Sequence, residues 1–278
     1  MSSVVKLYPN GLTVGVRPTG GPKSRGDRTA VEGWSQQSVR SNMRFLMAVR
    51  WDRLPAVGWS VSLSILDCPP TPKDWHRGRK AFVERLRRMG LDLAHWLTEW
   101  QRRQVPHLHG ALFFDLDSDA TARRIEEAWL GAMAEFRPHA SAQHVAPLYD
   151  SVGWAKYLSK HAARGLNHYQ RSPDKIPPGW LGKTGRMWGK VGKWPQEEAA
   201  PLTLSMPGFH AFRRILRARR RADARASGNP RRIAHARRML KCSDEKRSAV
   251  RGGSDWCDLD ESLSLVAAVR MLGHDVRG

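Results

Sequence analysis

The segment Val105-Pro106-His107-Leu108-His109-Gly110-Ala111-Leu112-Phe113-Phe114 decides the fold that this sequence predicts. In a β-strand, residues two apart point to the same face of the sheet. His107 and His109 are therefore expected on one face, while Leu108 and Leu112 point into the other. Two neutral imidazoles side by side can bind a divalent cation. The segment is thus predicted to be a buried strand that carries a pair of metal ligands.

A carboxylate on the preceding segment is the third candidate ligand. Residues 93–101 are a second predicted strand, and the short basic turn that follows implies antiparallel pairing with the histidine strand. Glu99 then lies across the hairpin from the histidines. Two imidazoles and one carboxylate suit Mn²⁺ or Mg²⁺, with positions left open for substrate oxygens. The alternative interpretation of Glu99 is an ion pair with Arg102 or Arg103.

The composition indicates a polyanionic partner. The 278 residues include 47 Lys and Arg against 26 Asp and Glu, which gives a formal charge of +21. Nucleic acid is the first expectation for the partner and an anionic membrane surface the second. The sequence contains neither a predicted transmembrane span nor the pattern of a signal peptide. We therefore expect a cytoplasmic protein that makes no use of a membrane.

Two further patterns carry less information. Cys68, Cys242 and Cys257 are scattered and odd in number, which argues against a disulfide framework or a zinc ribbon. The segment Gly182-Lys183-Thr184 invites a phosphate-loop interpretation, but that motif requires glycine where the chain has Pro177. No ATPase activity is predicted.

Alternating and helical periods outline the remaining elements. Trp59 to Leu66 alternates without interruption, which predicts a strand with one serine-lined face. Helical spacing predicts helices over residues 38–51 and 75–89, and a third helix after the acidic residues 115–119. Ser118 or Asp119 is the expected cap of that third helix. A short strand is predicted at residues 145–148.

A tyrosine on a predicted helix is the candidate nucleophile. In a helix from about Ser151, Tyr157, Lys160, His161 and Arg164 share one stripe because they stand at i, i+3, i+4 and i+7. The lysine ammonium would favour the phenolate and stabilise charge on a phosphate under attack. The alternative is an ordinary surface tyrosine flanked by basic residues.

Basic residues in two later regions are candidate DNA contacts. Arg186, Lys190 and Lys193 are interspersed with tryptophans, as in a DNA-binding loop or edge strand, although the aromatic residues could equally cap the core. Beyond Phe209 the sequence predicts two basic helices separated at residues 227–230, and a last short helix over residues 259–272. The contacts expected on the first basic helix are Arg213, Arg214 and Arg217.

These patterns together predict three regions. Residues 1–37 are expected to be a mobile leader, because they are rich in Gly, Pro, Ser and Arg. Residues 38–200 are expected to form the catalytic domain, and residues 201–278 a basic helical C-terminal segment. The predicted fold class is α+β, with a central antiparallel sheet flanked by helices.

With these residues placed, the chain resembles the HUH endonuclease superfamily, and within it the rolling-circle replication initiators of bacterial plasmids and filamentous phages. Three ordered motifs carry the resemblance, which covers roughly residues 38–195. They are the alternating strand at residues 59–66, His107-Leu108-His109, and Tyr157-Leu158-Ser159-Lys160. Serines replace the usual threonines of the first motif. One tyrosine in the third motif implies a one-tyrosine enzyme.

The resemblance implies a fold and a reaction. The sheet of an HUH/RRM-like domain would carry the histidines, and a neighbouring helix would carry the tyrosine. A cation held by His107, His109 and Glu99 would polarise the scissile phosphate of single-stranded origin DNA. Tyr157 would attack it, giving a 5′-phosphotyrosine link and a 3′-hydroxyl primer, and Lys160 would position the phosphate or the tyrosine. A host helicase and polymerase would be partners in the bacterial cytoplasm.

Two other functions remain open at this point. A transposase or relaxase would use the same chemistry, and relaxases carry a third histidine, for which His95 is the nearby candidate. His95 and Gln101 share the predicted face of Glu99, and either is a possible assistant to the metal site. A protein that binds nucleic acid without catalysis would leave the histidines and Tyr157 incidental.

Overall fold

The computed structural model describes residues 3–16, 32–55, 57–114, 120–148, 168–241 and 253–278, with backbone alone at 238–241. The chain divides into two compact units. The central unit comprises residues 27–196, and the terminal unit comprises residues 1–26 and 197–278. Each unit contains one five-stranded antiparallel sheet with helices, so the predicted α+β class is confirmed.

The described strands and helices follow one another along the chain with these bounds: β1 (Ser3–Tyr8), β2 (Gly11–Val16), α1 (Gln36–Ala48), β3 (Gly58–Leu63), α2 (Pro72–Arg87), β4 (Leu91–Trp100), β5 (Pro106–Phe114), α3 (Thr121–Ala132), β6 (His144–Pro147), β7 (Trp188–Val191), β8 (Ala200–Leu204), α4 (Met206–Ala226), α5 (Pro230–Lys241), β9 (Gly253–Asp255), α6 (Leu259–Met271) and β10 (Val276–Arg277). None of the described helices combines the length and the apolar character that crossing a membrane requires.

The sheet of the central unit is built around β5, the strand with the two histidines. Its strands lie in the order β6-β3-β5-β4-β7. All nine residues of β5 are buried because strands flank it on both sides and side chains cover both of its faces. The predicted hairpin is observed, since β4 and β5 pair antiparallel with Glu99 opposite His107 and Leu97 opposite His109.

Helices α2 and α3 cover the sheet face opposite to the histidines. Thr71 caps α2 with a capping box, and Pro72 fits the first turn because its missing N–H has no helical partner. The buried stripe of α2 includes Phe82, whose ring meets Trp129 of α3 edge to face at 5.2 Å. Ser118 and Asp119, the expected caps of α3, lie outside the described residues, and Ala120 at the start of the described helix makes no side-chain hydrogen bond.

The terminal unit joins the two ends of the chain. Its strands lie in the order β10-β8-β1-β2-β9, and the core beneath them includes Val5 and Leu12 of the hairpin with Phe209 and Phe212 of α4. This corrects the expectation of a mobile leader over residues 1–37, because residues 3–16 form two paired strands. The prediction used the composition of the whole region, and the glycine-rich stretch later in it outweighed the alternating apolar residues on either side of the turn at Pro9-Asn10.

The C-terminal segment also differs from its prediction. The two basic helices and the last helix are observed, but three strands of the terminal sheet accompany them. Arg219 of α4 lies 3.0 Å from Asp255 and 2.6 Å from Glu261, so its charge is neutralised within the unit. A basic helix is stable here because its apolar side builds a core and its charges find partners at long range.

Candidate metal centre

Glu99, His107 and His109 form one buried group on a face of the central sheet. Their candidate ligand atoms all lie within 4.8 Å of one another. The two histidine Nε2 atoms are 2.7 Å apart, and His109 Nε2 is 3.8 Å from Glu99 Oε2. Because two N–H groups cannot face each other at 2.7 Å, at least one Nε2 presents its lone pair. The arrangement places three donor atoms close enough together to bind one ion.

Strand geometry produces this grouping. Residues two apart on β5 share a face, and antiparallel pairing places Glu99 directly opposite His107. Glu99 is fully buried, while His107 and His109 are 4% and 7% exposed. A carboxylate and two imidazoles withdrawn from water in this way need a cation or other partners to compensate their lost hydration.

The donor set fits a divalent cation. Imidazole nitrogens and a carboxylate oxygen ligate Mg²⁺, Mn²⁺ and related metals. Adjacent ligands of an octahedral ion stand about 3 Å apart when each bond is about 2.1 Å long, which is close to the 2.7 Å between the two Nε2 atoms. Glu99, His107 and His109 could therefore hold a metal ion.

Ser62 of β3 orients one of the two imidazoles. Its Oγ lies 2.9 Å from His109 Nδ1, a hydrogen bond within the row of serines that the alternating segment predicted. When Nε2 ligates a cation, Nδ1 carries the proton and donates it to Ser62 Oγ. Such outer partners fix the ring orientation and the tautomer of a ligating histidine.

Replacing Ser62 with alanine is expected to weaken Mn²⁺ binding by about 10- to 100-fold, because His109 loses the partner of its Nδ1 proton. Isothermal titration with Mn²⁺ measures the change. The matched control is Ser60→Ala, two residues earlier on the same strand face, where the hydroxyl donates to the Ala146 carbonyl instead. Equal Mn²⁺ affinities for Ser62→Ala and the unmodified protein would contradict this role.

A buried arginine completes the group, and sequence reasoning missed it. Arg171 Nε donates to Glu99 Oε1 at 2.8 Å, and both side chains are fully buried. The ion pair foreseen for Glu99 thus exists, but with Arg171 rather than with Arg102 or Arg103. Since Arg171 occupies Oε1 and Oε2 faces His109, Glu99 can pair with the arginine and still offer one oxygen to a cation.

Backbone and aromatic contacts hold Arg171 in place. The Trp100 amide donates to the Gln170 carbonyl at 2.9 Å, which ties this segment to the end of β4. The guanidinium of Arg171 lies 4.1 Å from the centre of the Trp34 ring, and Trp34 Nε1 donates to the Thr98 carbonyl at 2.9 Å. Trp34 belongs to the expected mobile leader, yet it is 5% exposed and covers the arginine of the site.

Two more polar residues lie near the group. Gln170 Nε2 is 3.4 Å from His107 Nε2, the position that sequence reasoning considered for Gln101. Exposed His144 on β6 pairs directly with Ser62, which places it on the same sheet face. Neither residue carries a local signal that marks it, because each reaches the site through strand pairing or a distant loop.

His95 and Gln101 do not join the group of three. His95 is fully buried, stacks on Phe45 at 5.5 Å and contacts Asn42 Oδ1 through its Nε2 at 2.8 Å. Burial lowers the pKa of His95 to about 3, so it is neutral at physiological pH. Gln101 donates to Ser64 Oγ at 3.0 Å and accepts from Arg103 Nε at 2.8 Å. Both residues have structural partners.

The remaining predicted site residues divide by region. Tyr157, Lys160, His161 and Arg164 lie outside the described residues. Arg186, Lys190 and Lys193 are exposed in and beside β7, the edge strand next to β4. On α4, which belongs to the terminal unit, Arg214 is exposed, whereas Arg213 and Arg217 are half-buried.

Comparison with known proteins reveals close relatives. The chain is 43% identical over 274 residues to the replication-associated protein of Pseudomonas phage Pf3, with 98% of each chain covered. It is also 41% identical over 279 residues to a protein of Xylella fastidiosa strain 9a5c, with 98% of each covered. A protein of Xylella fastidiosa strain Temecula1 is 42% identical over 262 residues, covering 92% of this chain and 99% of that protein. Both Xylella proteins are named as replication proteins. No protein-family model matches the chain, and no solved structure matches it significantly.

Proposed function

Because the chain belongs to the family of replication-associated proteins that includes the one of Pseudomonas phage Pf3, we propose that it initiates rolling-circle replication by nicking single-stranded origin DNA. The observation that carries the nicking activity is the buried group of Glu99, His107 and His109, whose ligand atoms lie within 4.8 Å of one another. A phage or plasmid replicon in a bacterial cytoplasm is the corresponding setting. The HUH motifs quoted above supply the rest of the mechanism.

Each residue of the group has a defined task in this proposal. His107, His109 and Glu99 would bind Mn²⁺ or Mg²⁺, which when bound polarises the scissile phosphate and neutralises its developing charge. Ser62 holds the His109 ring through Nδ1. Arg171 holds Glu99 Oε1 and leaves Oε2 directed at His109. Preorganised donors of this kind lower a barrier because they need no rearrangement during the reaction.

Tyr157 is the proposed nucleophile. Its phenolate oxygen forms a bond to phosphorus, and the bond from phosphorus to the 3′ oxygen breaks. The electron pair leaves with the 3′ oxygen, which takes up a proton and becomes the 3′-hydroxyl primer. The 5′-phosphate stays on the tyrosine as a phosphodiester, so the reverse step rejoins strands without ATP. The Lys160 ammonium would favour the phenolate and stabilise the negative charge on the phosphate.

Basic side chains would hold the DNA strand. In this proposal His161 and Arg164 extend the stripe of the tyrosine helix, Arg186, Lys190 and Lys193 line the edge of the central sheet, and Arg213, Arg214 and Arg217 act from the terminal unit. Backbone phosphates attract such residues without regard to sequence. A host helicase would unwind the duplex, and a host polymerase would extend the 3′-hydroxyl.

Tyr157→Phe is expected to abolish a covalent protein–DNA adduct. The purified protein is incubated with labelled single-stranded DNA of its own replicon, with Mn²⁺ or with EDTA, and the adduct is read on a denaturing gel after boiling in detergent. Tyr169→Phe is the matched control, since Tyr169 has the same phenol and is 47% exposed. We expect an adduct with the unmodified protein and with the control when Mn²⁺ is present, and none when EDTA replaces it.

Other outcomes distinguish the alternatives. Cleavage without an adduct would indicate a metal-activated water and remove Tyr157 from its role. Binding unchanged by EDTA, with no cleavage, would leave a replication protein that binds DNA without cutting it. An adduct that forms equally on unrelated sequences would contradict an origin-specific initiator.

A further inference from the structure

A second basic site lies on the other face of the central sheet. Arg79 of α2 lies over Trp96 of β4, with its guanidinium carbon 3.4 Å from the centre of the ring. Gly189 of β7 faces the same indole, and a Cβ there would come within 2.5 Å of the ring. Because Trp96 and Glu99 stand an odd number of residues apart on one strand, they point to opposite faces. The Arg79 site is therefore distinct from the candidate metal centre.

Arg79 is half-buried and has no anionic partner among the described residues. Its Nη1 is out of contact with solvent and has no hydrogen-bond partner in the part of the chain that the structure describes. No carboxylate in the described part of the chain forms a salt bridge with it, and the nearby charge that acts on it is Arg186, another cation. Burial, with a smaller effect of Arg186, lowers the pKa of Arg79 to about 9. Proteins rarely withdraw an arginine from water unless an anion joins it.

The loop before β7 is held beside this arginine. His76 Nε2 donates to the Thr184 carbonyl at 3.1 Å, and the Thr184 hydroxyl accepts from the Gly33 amide. Gly185 packs against the His76 ring so closely that a Cβ would come within 2.2 Å of it. Burial is the main reason that the pKa of His76 falls to about 4, so His76 adds no charge at neutral pH. These contacts place Arg186 where it can act with Arg79.

We propose that Arg79 and Arg186 form a phosphate-binding site for the backbone of a nucleic acid, separate from the candidate metal centre. Guanidinium groups bind phosphate oxygens through paired N–H donors, and an anion would supply a partner that no described residue gives to Arg79 Nη1. The site lies at the β7 edge of the sheet, where Lys193 is also exposed, whereas Lys190 points to the opposite face, over the Phe45 ring. A strand bound there would pass along that edge.

The nucleic-acid part of this inference rests on the proposed function, whereas binding of a phosphate does not. The two can be separated because the phosphate site needs neither Mn²⁺ nor Tyr157. If nicking fails and phosphate still binds at Arg79, the result contradicts the proposed enzyme activity and supports the anion site. If nicking succeeds and replacing Arg79 does not change phosphate binding, the result contradicts the anion site alone.

Arg79→Met tests the site, because methionine keeps an unbranched stem over Trp96 and removes the charge. Thermal unfolding is measured in inorganic phosphate and in chloride of equal ionic strength. The control is Arg44→Met, an exposed arginine of α1. We expect phosphate to raise the unfolding temperature of the unmodified protein and of Arg44→Met. Arg79→Met should show at least about a tenfold weaker phosphate affinity and no loss of stability in chloride.

Single-stranded DNA provides the second arm of the test. Affinity for an oligothymidine is measured over a range of salt concentrations, and losing one phosphate contact should lower the slope of log K against log salt by about 0.7. A phosphate effect with an unchanged slope would overturn nucleic acid as the ligand and leave free phosphate. Phosphate stabilisation of Arg79→Met equal to that of the unmodified protein, or destabilisation of Arg79→Met in chloride, would overturn the site and assign Arg79 to packing.

Discussion

Replacing His109 with alanine is expected to lower metal-dependent cleavage of single-stranded DNA by about 1000-fold or more. A bound cation contributes several kcal/mol of charge stabilisation to phosphoryl transfer, and each 1.36 kcal/mol corresponds to about tenfold in rate. His109 is central to the group because its Nε2 lies 2.7 Å from His107 Nε2 and 3.8 Å from Glu99 Oε2. Its removal leaves two of the three ligands that the described residues offer.

The measurement pairs cleavage with metal binding. Initial rates are compared at saturating Mn²⁺, and isothermal titration reports Mn²⁺ affinity of the same preparations. His139→Ala is the control, since it makes the same substitution at an exposed histidine. Circular dichroism establishes that both variants are folded. Metal-dependent cleavage by folded His109→Ala at the rate of the unmodified protein would remove His109 from the centre.

Replacing Arg171 with methionine is expected to destabilise the protein by about 3–5 kcal/mol, because it leaves the Glu99 carboxylate buried without its cation. Glu99 and Arg171 are both fully buried, so solvent does not screen the loss. For a chain of this size, the change corresponds to a fall of about 6–20 °C in unfolding temperature. Thermal unfolding followed by circular dichroism in EDTA measures it.

Mn²⁺ should restore part of the stability that Arg171→Met loses. A divalent cation bound at Glu99 Oε2 replaces the missing positive charge, and a ligand that binds the folded state alone stabilises it by mass action. We expect Mn²⁺ to raise the unfolding temperature of Arg171→Met more than that of the unmodified protein. The double variant Glu99→Gln/Arg171→Met should be more stable in EDTA than Arg171→Met and should lose the Mn²⁺ effect.

The double variant also makes the result decisive. If Arg171 acts only by packing against Trp34, removing the Glu99 charge as well will not recover stability. If Arg171→Met unfolds at the same temperature as the unmodified protein, the ion pair with Arg171 does not stabilise the buried Glu99 carboxylate. Both measurements use the full chain and need no DNA.

The sequence by itself determined the strand that organises the central unit and the side chains that share its histidine face. The physical reason is local: side chains alternate along a strand, and a short connection forces antiparallel pairing of neighbours. Glu99 opposite His107 follows from those two rules. The contact of Ser62 with His109 does not, because β3 pairs with β5 although α2 and β4 lie between them in the chain. The class of the fold followed in the same way from alternating and helical periods.

Tertiary structure alone decided what surrounds Glu99 and where the ends of the chain go. Arg171 is 72 residues from Glu99, and its charge is indistinguishable in the sequence from the many other basic residues. Ser3 Oγ donates to the Leu204 carbonyl across 201 residues, a pairing that no local pattern specifies. Burial and long-range hydrogen bonds select among equivalent residues only after the chain has folded, because their free energy depends on which groups are withdrawn from water together.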